Sequence, residues 1–155
     1  PLAGGRAFGE NGRYEELKTF FHGHTYTANP LASAVSLANL DLFRRRKVLE
    51  RLAPKIKFLT DALRKFNALE HVGDIRQVGF MVGIELVSDR RTKVPYELKD
   101  KVGIRVAEEA AHMGVIIRPL GNVIVLMPPL AIEMKDLEKL IKVVYRSIDL
   151  VTESR

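Results

Sequence analysis

At Gly73 the spacing of apolar residues changes, and that change limits the possible folds more than any other feature of the chain. Before it, Leu52, Ile56, Leu59, Leu63 and Phe66 recur three or four residues apart, which puts them on one stripe of a helix from about Val48 to Leu69. Pro54 falls near its start, where it sets a new first turn. After Gly73, residues 74–79 and 80–87 read as adjacent strands, with alternation clearest in the second. Residues 89–95 are polar and read as a loop. Helical spacing returns over 99–113, with Val102, Val106 and Ala110 on one face and Gly114 as a natural stop. Residues 115–118 and 122–127 read as short strands around a Pro119-Leu120-Gly121 turn, and Pro128-Pro129 ends the sheet. A last amphipathic helix runs from Glu133 to Val151 on Leu137, Leu140, Ile141, Val144 and Ile148. This order predicts an α+β unit: a small antiparallel sheet covered on one face by helices.

The N-terminal part has a different character. Residues 4–13 carry four glycines and read as a loop. Asn29-Pro30 supplies an N-cap followed by a proline at the first helical position, where the missing N–H costs nothing. The helix that follows, residues 29–47, is rich in Ala and Ser and suits close packing. The expected division is therefore a loop (1–28) and helix (29–47) from the end of a larger domain, then a small α+β domain over 48–155. The chain opens without Met at Pro1-Leu2-Ala3, as a fragment or processed chain would, and shows no signal-peptide pattern. No apolar run nears the ~20 residues needed to span a bilayer. Cysteine is absent, which excludes disulfides and thiolate chemistry and fits a cytoplasmic protein. The net charge is +6, and its densest cluster, Arg44-Arg45-Arg46-Lys47, reads as a solvated helix face. The alternative, a basic nucleic-acid-binding module, lacks interleaved aromatics to stack bases.

Two places could hold anions. Gly23, Thr25 and Thr27 precede a helix start, where turn N–H groups and a hydroxyl can cradle a phosphate. The same residues also suit ordinary helix capping. Arg118 follows the apolar run Val115-Ile116-Ile117, so a strand end could present its guanidinium to a carboxylate through two parallel hydrogen bonds, or leave it in water. His22 and His24 have metal-ligand spacing but no acidic partner, and His71 and His112 stand apart, so structural roles are expected. Asp74, Glu85 and Asp89 lie near strands without an evident carboxylate pair.

Residues 21–32 (Phe-His-Gly-His-Thr-Tyr-Thr-Ala-Asn-Pro-Leu-Ala), 79–86, 114–121 and Leu126-Met127-Pro128-Pro129 together resemble the class III, fold type I, pyridoxal-phosphate aminotransferases over about residues 18–150. Within that class they are most similar to the branch that passes an amino group from S-adenosylmethionine to 8-amino-7-oxononanoate in biotin synthesis. Other branches use ornithine, acetylornithine or ω-amino acids. The resemblance implies pyridoxal 5′-phosphate as cofactor and a homodimer with shared active sites. It implies that Thr25 reaches the cofactor phosphate of the partner subunit and that His24 also borders the cofactor. It places Gly23 beside the substrate and Arg118 on the substrate carboxylate. No catalytic residue is expected in this chain: the Schiff-base Lys and the Asp that pairs with the pyridine nitrogen are expected upstream of Pro1, so these residues alone should be inactive. Residues 4–13 do not look like the family's helical segment before the His-Gly-x-Thr turn, and Val125 stands where some members place an aromatic residue.

Overall fold

The computed structural model describes residues 23, 25 and 27–153, and the chain divides into two compact units, 1–47 and 48–155. In the first unit, helix α1 spans Pro30–Arg45 with proline in its first turn. The Ala32 N–H donates to Asn29 Oδ1 at 3.1 Å and the Ser33 N–H to Asn29 O at 2.9 Å, so Asn29 is the cap in both side chain and backbone. No residue of α1 is buried; Leu31 is 76% exposed and Val35 62%. Arg44 and Arg45 occupy the last turn, where positive charge complements the helix C-terminus.

In the second unit, α2 spans Val48–Leu63 and runs unbroken through Pro54, so the proline does not begin a new helix. The single helix expected to reach Leu69 instead tightens into a 3₁₀ segment, Arg64–Ala68, and turns extended at Leu69. The tighter winding carries Phe66 fully into the core, where it meets Tyr145 edge-on at 5.2 Å.

Five strands follow: β1 (Val72–Val78), β2 (Met81–Asp89), β3 (Val94–Pro95), β4 (Arg118–Leu120) and β5 (Val123–Leu126). The main sheet has the order β1-β2-β5-β4, all neighbours antiparallel. Both hairpins use two-residue loops, Gly79-Phe80 and Gly121-Asn122, with φ +59° and +57° at the glycines. Glycine in the first loop position is the hairpin choice that matches strand twist. Two expectations change. The polar stretch 89–95 ends in a short strand, because Pro95 pairs with Val87 of β2. The strand expected over 115–118 instead starts at Arg118 and continues through Pro119, so the turn moves to Gly121-Asn122. Proline is tolerated there because β4 is an edge strand.

Helix α3 spans Val102–His112 and α4 spans Met134–Ile148, extended by a wider turn at Asp149–Glu153. Val82, Ile84, Leu86, Ile124 and Leu126 from the sheet share one core with Leu59, Phe66, Val106, Leu137 and Val144 from the helical side. Alternation turns Arg76, Gly83, Glu85, Val123 and Val125 to the opposite face. The unit is thus an antiparallel sheet with its helices on one face, as the sequence predicts.

Candidate functional site

Arg118 pairs with Val125, Val125 with Gly83, and Gly83 with Arg76, so the register sets these four residues in one row across the sheet. Two of the four are arginines, and they differ in what surrounds them. Arg76 donates to Asp74 Oδ2 at 2.7 Å and to Glu85 Oε2 at 2.6 Å. Those carboxylates, Glu85 foremost, raise its pKa above the usual arginine value and occupy the charged guanidinium in ion pairs. The Arg118 side chain is exposed, and its guanidinium makes no hydrogen bond or ion pair with any described residue. Of this row, Arg118 carries the guanidinium without a partner among the described residues, and such a group can take a carboxylate as a bidentate pair.

A groove of about 890 Å³ runs beside Arg118, with Ile116, Ile117, Val125, Met127, Pro129 and Leu140 among its walls. That volume lies in the range of small-molecule sites. Ile116 is 94% exposed, so the groove has an apolar lip. On its far side the Lys55 ammonium donates to Ile132 O at 2.5 Å and Leu130 O at 3.4 Å, tying the loop after β5 to α2. An exposed guanidinium beside a mostly apolar trough, which Asp136 and Lys139 also border, suits a molecule with an aliphatic body and a carboxylate end.

In the first unit, Thr25 is exposed and has no partner among the described residues, while Thr27 is engaged. Among the described residues, none has an atom within 4 Å of where a Gly23 side chain would begin. His24 and His22 lie outside the described residues. The capping role belongs to Asn29 rather than to a threonine. Pro30 has no N–H, and the Ala32 and Ser33 N–H groups are taken by Asn29, so the start of α1 keeps little donor capacity for an anion. A phosphate in this turn would rely on the Thr25 hydroxyl as a side-chain donor.

Other titratable groups differ in how far they are engaged. His71 Nδ1 lies 2.9 Å from Val87 O, its ring centre lies 5.7 Å from that of Tyr96, and its backbone N–H donates to Glu153 Oε1. His112 is exposed and 3.8 Å from Glu109. No group of His, Asp and Glu among the described residues could hold a metal ion. Arg45 of the basic cluster faces Asp41 at 3.5 Å on an exposed helix surface. Asp74 and Glu85, which show no pairing in the linear sequence, are cross-strand partners that share Arg76. A two-residue loop at Gly79-Phe80 carries the register that brings them together, so the hairpin was the signal that could have revealed the pair.

The sequence matches the class-III aminotransferase family over residues 2–148. Proteins named adenosylmethionine-8-amino-7-oxononanoate aminotransferase from Nitratidesulfovibrio vulgaris and Geobacter sulfurreducens are 54% and 52% identical over 142 and 141 residues. Those alignments cover 92% and 91% of this chain but only 26% and 31% of the relatives. The crystal structure of the Methanocaldococcus jannaschii enzyme of that name superposes with a TM-score of 0.81 at 48% identity, covering 90% of this chain and 32% of that one. An aminotransferase from Vibrio fluvialis in its PMP-bound form gives the same TM-score at 26% identity, covering 90% of this chain and 31% of that one. The chain thus spans about a third or less of the length of these relatives, and its fold matches their small C-terminal part. It belongs to the class III aminotransferases.

Proposed function

We propose that this chain is the C-terminal part of a pyridoxal-phosphate-dependent transaminase that moves an amino group from S-adenosylmethionine to 8-amino-7-oxononanoate, a step of biotin synthesis. Identity of 54% and 52% to relatives bearing that enzyme's name supports the choice of substrates. The observation that carries the role of this part is Arg118, a free guanidinium at the rim of an apolar groove. The acceptor in this reading is an aliphatic chain ending in a carboxylate. Arg118 grips the carboxylate, and the apolar walls exclude water from the chain.

Pyridoxal 5′-phosphate, when bound, supplies the electron sink and carries the amino group between donor and acceptor. Thr25 would donate its hydroxyl to the cofactor phosphate of the partner subunit in a homodimer with shared sites. His24 would border the cofactor, and Gly23, lacking a side chain, would leave room for substrate. The domain division follows: residues 1–47 end the large cofactor-binding domain and 48–155 form the small one. The Schiff-base Lys belongs to sequence N-terminal to residue 1. A cytoplasmic location accords with small soluble substrates.

The test uses the full-length protein that carries this chain, loaded with pyridoxal phosphate and assayed for diamine product from the two substrates. Wild type should convert them. Arg118→Ala should raise KM for 8-amino-7-oxononanoate by about 10- to 100-fold, the worth of a charge-assisted contact. Turnover with ornithine or a simple ω-amino acid, and none with S-adenosylmethionine, would overturn the choice of substrates.

A further inference from the structure

Among the described residues Arg118 has no side-chain partner to orient it, so its reach is set by the backbone of β4. That strand is three residues long, lies at the sheet edge, and includes a proline that cannot donate to the ladder. Its three register pairs are all with β5, which is laddered onto β2 along Val82–Glu85, so β4 takes its place only through β5 and the hairpin tip.

Asn122, at the hairpin tip, provides a second hold beyond that ladder. On one edge of β2, β5 pairs along Val82–Glu85 and β3 pairs with Val87 and Asp89. The gap between them is filled by Asn122. Its carbonyl accepts the Leu86 N–H at 2.9 Å, continuing the ladder one step beyond β5. Its side-chain Nδ2 donates to Tyr96 O at 2.7 Å, next to Pro95 of β3. One residue thereby joins the hairpin tip to the central strand and to the segment that follows β3. From the other side, Gly103 in the first turn of α3 lies so close that a Cβ there would fall on the Gly121 carbonyl oxygen. The tip is clasped between a helix and a strap, with the Asn122 amide as the polar half of the clasp.

With Arg118 as the carboxylate anchor, a reading on which this depends, we infer that Asn122 is a positioning residue: its amide clasp to Tyr96 sets where the Arg118 guanidinium meets the substrate carboxylate. Asn122→Asp keeps the shape but replaces the donor by an anion facing a carbonyl. Asn122→Ser leaves a hydroxyl too short to span the gap. Neither changes a group that touches substrate.

The experiment measures KM and kcat in the full-length holoenzyme for 8-amino-7-oxononanoate and for its methyl ester, which keeps the chain and loses the charge. Asn122→Asp should raise KM for the acid about three- to tenfold, the worth of one neutral hydrogen bond. It should leave kcat and the ester's KM within twofold of wild type. Should Asn122→Asp not fold, Asn122→Ser is read in the same way. Equal losses on acid and ester, or none on either, would overturn the role of Asn122. Arg118→Ala, measured alongside, separates the two claims: if it leaves acid and ester alike, the anchor itself is wrong, whereas an acid-specific loss there with none at position 122 removes only the clasp.

Discussion

Gly103 is buried in the first turn of α3, and its replacement by alanine sets two effects of similar size against each other. In a helix interior alanine is favoured over glycine by about 1 kcal/mol, so propensity alone makes Gly103→Ala stabilising. The new methyl would meet the Gly121 carbonyl oxygen and lie 3.0 Å from Pro119 Cβ. Overpacking of that kind costs about 1–3 kcal/mol. The upper end applies here, because the first atom met is backbone. The loop is fixed by the φ of +57° at Gly121 and by the Leu86 N–H bond to Asn122 O, so no rotamer change relieves the contact. The balance is a net loss of about 2 kcal/mol. For the unit Val48–Arg155 that lowers Tm by about 9 °C. Thermal unfolding followed by circular dichroism measures it. Gly83→Ala serves as the control, since its Cβ would sit 3.4 Å from Val123, close to ordinary contact, and its Tm should barely move. A Tm for Gly103→Ala at or above wild type would refute the argument, because it would mean that the hairpin yields freely to the helix.

Phe66→Ala removes a fully buried ring that fills the space between α2 and Tyr145 and should cost about 3–5 kcal/mol, read as a drop in the urea midpoint. Asp89 accepts the Arg91 and Thr92 N–H groups at 2.7 and 3.0 Å, and these bonds, that of Thr92 foremost, hold its carboxyl below the usual 3.8. A carboxyl lowered on folding contributes stability above its unfolded pKa and loses it as pH falls through the folded one. Tm should therefore decline between about pH 5 and pH 3, and Asp89→Asn should flatten part of that decline.

Helix spacing around Leu52–Phe66, the Gly114 stop, and the glycines at 79 and 121 place the elements before any coordinates are consulted, because period and turn chemistry are local. The start of α1 is local as well: Asn29-Pro30 states its cap and first turn outright. What sequence left open depended on groups distant along the chain. Whether Pro119 ended a strand or sat inside one turned on β4 being an edge, which follows only from the sheet order. Whether Arg118 was free or paired turned on Asp74 and Glu85 both going to Arg76, three strands away in the same row. The Asn122 clasp joins residues 26 apart in sequence. Sequence by itself determined the main helices and the helix-covered sheet, and it named two candidate anion-binding residues, since local spacing and turn chemistry rest on contacts within a turn or two. Only the tertiary structure decided which guanidinium stays unpaired and what holds its strand, since hydrogen-bond partners across a sheet are chosen by register and not by neighbourhood in the chain.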